Sequence, residues 1–323
     1  MNPKVSVIIC TFNRASLLKE AIESVRSQTF QDWELIVIND GSNDETPSVL
    51  TDYAHIDQRI HFINQKNSGL GASRASGPKL AKGEYLAFLD DDDLFSHDKL
   101  QNQVSYLDAN SEIGLVYGYV DMVNNEKEFL RQWPTRPAQN FIELIRQCTI
   151  QPNACLVRKK CFEKLGSFNQ NLNGSDDYEM WLRIAKHFPI AFRSETVGVY
   201  RWHNRNLSLD QTRSLRKLLS TYKTVLNSYV LTADEKSELY KSVLFLTYFK
   251  ALEDMNKFHF KNAALRFAAA IIFDPCIGIH LTWSRIDHPI YKVLKPYLAW
   301  IYCSLKGLKQ PVIPLVEKFP CPQ

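Results

Sequence analysis

Leu86-Ala87-Phe88-Leu89-Asp90-Asp91-Asp92-Asp93 runs four apolar residues directly into four carboxylates. The apolar run demands burial, while adjacent like charges repel and are costly to desolvate. Both demands are met by a buried strand that ends at the mouth of a sheet, where a divalent cation can neutralise the acids. Open α/β sheets bind their ligands at that edge. In an extended segment Asp90 and Asp92 point one way and Asp91 and Asp93 the other, so an alternating pair can engage Mg2+ or Mn2+ together with substrate phosphates. The competing reading is a solvated acidic turn. An EF-hand is excluded, because Phe95 stands where its loop needs glycine and Gln101 where it needs the closing glutamate.

Outward from this stretch, the first hundred residues alternate strand and helix. Val5 to Cys10 is an apolar, β-branched run, and Leu17, Leu18, Ala21, Ile22 and Val25 follow at helical spacing with Ser16 as the expected N-cap. Trp33 to Ile38 reads as a second strand, followed by a polar loop in which Asn43 or Asp44 caps the next helix. Ile60 to Ile63 is a short third strand, Gly71 to Ala81 a helix disturbed by Gly77 and Pro78, and Tyr85 to Leu89 the fourth strand. Such repetition implies α/β architecture, with a mostly parallel central sheet covered by helices on both faces. Thr11 and Asp40 then end strands at the same edge as the acids. A carboxylate there can accept a nucleobase N–H, although an isolated Asp40 would read as a turn or cap residue.

Beyond residue 100 the pattern is mixed. His97 to Leu107 is helical, Ile113 to Tyr119 strand-like, Asn124 to Lys127 a hairpin turn, and Asp177 to His187 helical. From about Ser208 onward the chain is helical and amphipathic. Phe258 to Pro275 resembles one helical hairpin of a tetratricopeptide unit, and Tyr291 to Lys309 alternates apolar and basic residues, as a helix packed on its own domain or on a membrane surface would.

The bulk properties exclude several classes. A net charge of +4 on 323 residues does not call for nucleic acid. Seven scattered cysteines without a C-x-x-C pair argue against a zinc ribbon or redox motif and for reduced thiols in a cytoplasmic protein. No signal-peptide pattern opens the chain, and the apolar stretch Ala263 to Phe273 is shorter than a membrane span and holds Arg266.

Three segments together, Val5 to Arg14, Val37-Ile38-Asn39-Asp40-Gly41-Ser42, and Gly83-Glu84-Tyr85 leading into Asp90 to Asp93, resemble the family 2 glycosyltransferases, nucleotide-sugar enzymes of the A-type fold. The resemblance covers about residues 3 to 205. It implies a glycosyltransferase domain over 1–205, with a donor half at 1–100 and an acceptor half at 101–205, followed by a helical region at 206–323. By position, Thr11 and Asp40 line the nucleobase pocket, Asp91 faces the ribose, Asp92 is the metal ligand and Asp90 supports it. Asp93 is read as a turn residue only. Asn67 to Arg74 resembles the loop and helix beside the donor, with Ala75 where the family usually has asparagine.

Gly174 to Arg183 resembles the family's acidic motif, with Asp177 at the position of the general base and Asp176 where glutamate is usual. Tyr200-Arg201-Trp202-His203 resembles a segment near the diphosphate, which makes His203 a second metal ligand. Trp181 reads as core. Trp133, beside Pro134 in a loop, is the candidate for stacking on the acceptor. The implied activity is inverting, Mn2+- or Mg2+-dependent transfer of a hexosyl or N-acetylhexosaminyl group from a nucleotide-sugar, by family frequency a UDP-sugar. The acceptor is a glycan or lipid-linked saccharide in bacterial surface polysaccharide or glycolipid synthesis, with peripheral contact at the inner membrane face through the C-terminal helices. The rival from another class is a catalytically silent sugar-nucleotide-binding or scaffold protein on the same fold. An intact base together with an intact metal site separates the two.

Overall fold

The computed structural model describes residues 2–124, 126–172, 174–202 and 211–249. Strands β1 (Val5–Thr11), β2 (Trp33–Asn39), β3 (Ile60–Asn64) and β4 (Tyr85–Asp90) alternate with helices α1 (Ala15–Arg26), α2 (Thr46–Ile56) and α3 (Leu70–Leu80). These four strands pair in parallel in the order β3-β2-β1-β4. Both faces of β1 and β4 are covered. Val5, Val7 and Ile9 share a core with Leu18, Ala21, Ile22 and Val25 of α1, whereas Ile8 meets α3. This double burial explains the unbroken Val/Ile/Leu composition of the strands.

Helix α3 runs through Pro78 to Leu80 rather than breaking there. A Cβ on Gly77 would lie 2.6 Å from Ile8 Cγ2, so the glycine lets the helix seat directly on β1. That packing outweighs the backbone bond forfeited at proline.

The expected cap of α1 is corrected. The helix starts at Ala15, which leaves Ser16 in its first turn, and the Ala15 N–H donates to Asp44 Oδ2 at 3.2 Å. Asp44 Oδ1 accepts from the Thr46 N–H at 2.9 Å, so one carboxylate caps α1 and α2 together. The two loops are stitched side by side by Asn13 N–H donating to Ser42 Oγ and Asn43 N–H donating to Asn13 Oδ1. Asp44→Ala is expected to cost about 1–2 kcal/mol of stability in urea unfolding. Ser16→Ala, which removes no cap, should stay within about 0.5 kcal/mol.

The second half of the sheet is mixed. After β5 (Leu94–Phe95) and α4 (Lys99–Ala109) come β6 (Leu115–Val123), β7 (Phe129–Trp133), α5 (Phe141–Arg146), β8 (Cys155–Arg158), α6 (Lys159–Leu165), α7 (Asp176–His187) and β9 (Ile190–Arg201). The sheet continues past β4 in the order β8-β6-β9-β5, with β7 also beside β6. Here β8 runs antiparallel to β4 and β6, while β6 and β9 are parallel. Phe88 of β4 packs against Phe162, Phe168 and Trp181, so Trp181 lies in the core as its helical spacing predicts.

Helix α8 (Gln211–Ser228) completes a first compact unit, Met1–Tyr229. Of the second unit, which begins at Val230, the description covers 230–249, including α9 (Ala233–Leu244) with its Thr232/Glu235 capping box. The tetratricopeptide-like stretch and the basic helix at Tyr291 to Lys309 lie outside the described residues. Among the described residues no helix is long and apolar enough to cross a membrane. Cys10, Cys148, Cys155 and Cys161 form no disulfide.

Candidate active site

The chain builds β1, β2 and β3 on one side and then crosses to β4 on the other, so the strand order reverses between β1 and β4. Ligands of open α/β sheets sit at such a switch point. A cleft of about 400 Å³ opens there, lined by Cys10 of β1 and Arg14 just after it, Arg74 on α3, Asp90 at the end of β4 with Asp91 and Asp92 beyond it, and Asp177 on α7. Cys10 and Asp90 are register partners across the β1–β4 pair, which fixes the floor of the cleft.

Two arginines organise the acids. The Arg74 side chain is 5% exposed; its Nη2 donates to Asp90 Oδ1 at 2.8 Å and its Nη1 to Asp176 Oδ2 at 3.0 Å. It thereby ties the end of β4 to the start of α7. Arg14, at the mouth, donates from Nη1 to both Asp91 Oδ1 (2.8 Å) and Asp92 Oδ2 (2.5 Å). Burial raises the pKa of Asp91 to about 6 against the opposing charge of Arg14, with Asp92 adding repulsion. Burial likewise raises Asp90, against the pull of Arg74.

Asp93 is corrected from a turn residue to a buried anchor. It is 1% exposed, accepts the Arg201 N–H at 3.0 Å on Oδ1 and the Asn153 amide at 3.1 Å on Oδ2, and so fastens the end of β9 to the acid turn. Burial, with repulsion from Asp92 and Asp90, pushes its pKa well above the usual carboxylate range. Its partners are 60 and 108 residues away in sequence, beyond the reach of any local reading.

The neighbouring acids of α7 separate clearly. The Asp176 side chain is fully buried and consumed by Arg74 and by the Gly174 N–H at 2.9 Å. Asp177 is 22% exposed and opens on the cleft; its Oδ1 accepts the Tyr178 N–H at 2.7 Å, and its Oδ2 stands 3.9 Å from Arg74 Nη1. Burial pushes its pKa up to about 6; Arg74 and the Tyr178 N–H oppose the shift, and Asp176 and Asp90 reinforce it. The helix N-terminus alone would have lowered basicity. A base at Asp177 must be unprotonated, so kcat/KM is expected to fall as pH drops below about 6 and to level off above it. If the Asp91 charge is also required, the acid limb of the measured profile has a slope between one and two.

Thr11 ends β1 with its hydroxyl buried beside Asp91, and among the described residues the hydroxyl makes no hydrogen bond. Asp40, 4% exposed, sits where Gly41 turns the chain at φ +80°. Its Oδ1 accepts from Gln65 Nε2 and the Ser68 N–H, and its Oδ2 from the Gly69 N–H at 2.8 Å. The carboxylate therefore holds the loop before α3 and keeps spare acceptor capacity on Oδ2. His203 lies outside the described residues. Trp133 is corrected: it closes β7, donates its indole N–H to the Thr149 carbonyl at 3.1 Å, packs under Arg131 and is not among the residues lining the cleft.

Sequence reasoning passed over Arg14 as a partner of the acids, the thiols of Cys10 and Cys148, and Ser214, Lys217 and Leu218 of α8, all of which line the cleft. The i, i+3, i+4 spacing of the last three was the available signal. The donor set also decides what ion could bind. Carboxylate oxygens outnumber the guanidinium groups on this wall, and hard oxygen donors suit Mg2+ or Mn2+. Among the described residues no group of three His, Cys, Asp or Glu side chains converges to hold an ion unaided. The acids therefore fit a cation that shares its shell with phosphate and water rather than a closed protein cage.

Residues 6–166 match the family described as Glycosyl transferase family 2. An uncharacterized glycosyltransferase of Methanocaldococcus jannaschii is 32% identical over 230 residues, which span 68% of this chain and 78% of that protein. Bacillus subtilis TuaG, whose name refers to teichuronic acid biosynthesis, is 27% identical over 69% of this chain and 88% of its own. Among solved structures, S. aureus TarS 1–349 in complex with UDP-GlcNAc is similar with a TM-score of 0.66 and 17% identity, over 94% of this chain and 92% of that one. Mannosyltransferase PcManGT from Pyrobaculum calidifontis, in complex with GDP-Man and Mn2+, is similar with a TM-score of 0.60 and 18% identity, over 95% and 87%. The chain belongs to glycosyl transferase family 2 and has the A-type glycosyltransferase fold.

Proposed function

We propose that this glycosyltransferase is an inverting, divalent-cation-dependent hexosyl- or N-acetylhexosaminyltransferase that uses a nucleotide-sugar donor. The observation that carries this reading is Asp177, a cleft-facing carboxylate whose pKa is raised to about 6, set on the far side of Arg74 from the strand-end acids. The donor lies across the ends of β1, β2 and β4, with its base near Thr11 and Asp40 and its ribose near Asp91. Asp92, with His203 in support, would hold Mn2+ or Mg2+, which when bound neutralises charge on the departing nucleoside diphosphate.

Asp177 accepts the proton of the acceptor hydroxyl as that oxygen bonds to the anomeric carbon. The bond from that carbon to the phosphate oxygen breaks on the opposite face, and its electron pair leaves with the diphosphate. Arg74 keeps Asp177 near the donor while Asp176 and Asp90 absorb most of its charge. The UDP-GlcNAc complex of TarS and the GDP-Man/Mn2+ complex of PcManGT support a nucleotide-sugar and metal, and the name of TuaG supports a role in surface polysaccharide synthesis. The acceptor in this reading is a glycan or lipid-linked saccharide at the inner face of the membrane.

The test is a thermal-unfolding screen of UDP-, GDP- and dTDP-sugars with Mn2+, followed by transfer assays on the donor that protects. A ligand at a hundred times its Kd adds about 2.7 kcal/mol of stability, a shift of a few degrees in Tm. A UDP-sugar is expected to protect only when Mn2+ is present. Protection that survives both chelation and Asp92→Ala overturns the metal assignment. Absence of protection by every nucleotide-sugar overturns the donor assignment.

A further inference from the structure

Arg14 and Arg74 both pair with acids of the same turn, but they are built differently. Arg74 is 5% exposed, spends both terminal nitrogens on carboxylates and is locked between two elements. Arg14 is 28% exposed and spends a single nitrogen, Nη1, on two carboxylate oxygens from successive residues, Asp91 Oδ1 and Asp92 Oδ2. Its Nε and Nη2 make no hydrogen bond among the described residues. One positive group shared by two adjacent carboxylates occupies the place a bridging cation would take.

The backbone beneath Arg14 is held while the side chain is long enough to leave. Asn13 adopts a left-handed φ of 54° and is tied on both sides to the β2–α2 loop through Ser42 and Asn43. Arg14 follows at the N-cap of α1, with its side chain emerging into the cleft. The side chain can therefore exchange partners by rotamer changes alone, without refolding the loop.

We infer that Arg14 is an internal counter-cation: it neutralises Asp91 and Asp92 in the empty enzyme and must release Asp92 before a divalent ion can bind. Freed from Asp92, the guanidinium can turn its Nε and Nη2 donors to diphosphate oxygens, which guanidinium forks match in geometry. Metal and donor are thereby coupled, because the group that blocks the metal is drawn off by the phosphates. This inference rests on the assignment of Asp92 as the metal ligand.

The test is Mn2+ binding to the full chain, followed by electron paramagnetic resonance of the free ion, first with the metal alone and then with UDP. Wild type is expected to bind Mn2+ weakly alone. Arg14→Gln and Arg14→Ala should bind it at least tenfold more tightly without nucleotide, while Arg14→Lys, which keeps a charge, stays near wild type. UDP should tighten Mn2+ binding by wild type severalfold more than by Arg14→Gln, each corrected for the Mn2+–UDP complex in solution. Thermal unfolding of each variant confirms that a folded protein is being titrated. If Asp92→Ala lowers Mn2+ binding but the Arg14 variants do not raise it, the counter-cation role is overturned and the metal assignment stands. If Asp92→Ala binds Mn2+ as wild type does, the metal assignment itself fails.

Discussion

Asp177→Asn is expected to lower kcat by about a thousandfold while leaving donor binding within about twofold, because general-base catalysis contributes on the order of 10²–10⁴. The amide keeps the shape of the carboxylate but cannot take the acceptor proton. The same substitution should raise Tm above pH 6. The unfolded-state pKa of an aspartate is near 4 and the folded value here is about 6, so the native state binds the extra proton between those values. Stability therefore falls as pH rises through that window, and the full penalty is present above it. A neutral side chain removes that penalty, so activity and stability move in opposite directions. Transfer at the native rate by Asp177→Asn would show that the base is another group.

Arg74→Met is expected to be the most destabilising change in the cleft. It leaves Asp176, whose side chain is fully buried, without its counter-charge. Breaking a buried pair by removing one partner costs about 3–5 kcal/mol, chiefly the cost of the orphaned ion. Asp90, 32% exposed on its side chain, can turn toward solvent and adds little. The double variant Arg74→Met/Asp176→Asn should regain most of the loss in urea unfolding while remaining inactive, since the ionic tie that sets the start of α7 against the end of β4 is gone. A loss below about 1 kcal/mol in the single variant would mean that the ion pair is not a structural link.

The parts of the site that could be read from sequence are those whose cause is local. Leu86 to Leu89 had to be buried and Asp90 to Asp92 could not all be, so a strand end at a cleft followed from seven consecutive residues. The turn after Asp40 followed from Gly41, which stands at φ +80°. Trp181 was placed in the core by its helical spacing, as the structure has it.

The misreadings have the opposite character. Ser16 had the right chemistry for a cap, but Asp44, from another loop, took the position because the strand order sets the two loops side by side. Asp93 reads from sequence as a turn residue only, because the backbone donor that buries it comes from β9, 108 residues away. Trp133 sits beside Pro134 in sequence, yet it closes β7 paired with β6, spends its indole N–H on the Thr149 carbonyl and is not among the residues lining the cleft. Which of two adjacent acids is buried, Asp176 or Asp177, was likewise settled by Arg74, a hundred residues upstream.

The stretch that matches the family ends at residue 166, before Asp177 and before α8 contributes Ser214, Lys217 and Leu218 to the cleft. The two walls thus come from separate lengths of chain. The hydroxyl of Ser175, just ahead of Asp177, donates to the Lys217 carbonyl and accepts from the Thr221 hydroxyl, so α8 is moored to α7 at this point. An evolving lineage, or an engineer, could redraw the α8 face of the cleft while the strand-end acids and their arginines stayed untouched. The cleft is in that sense a fixed tool with an exchangeable jaw.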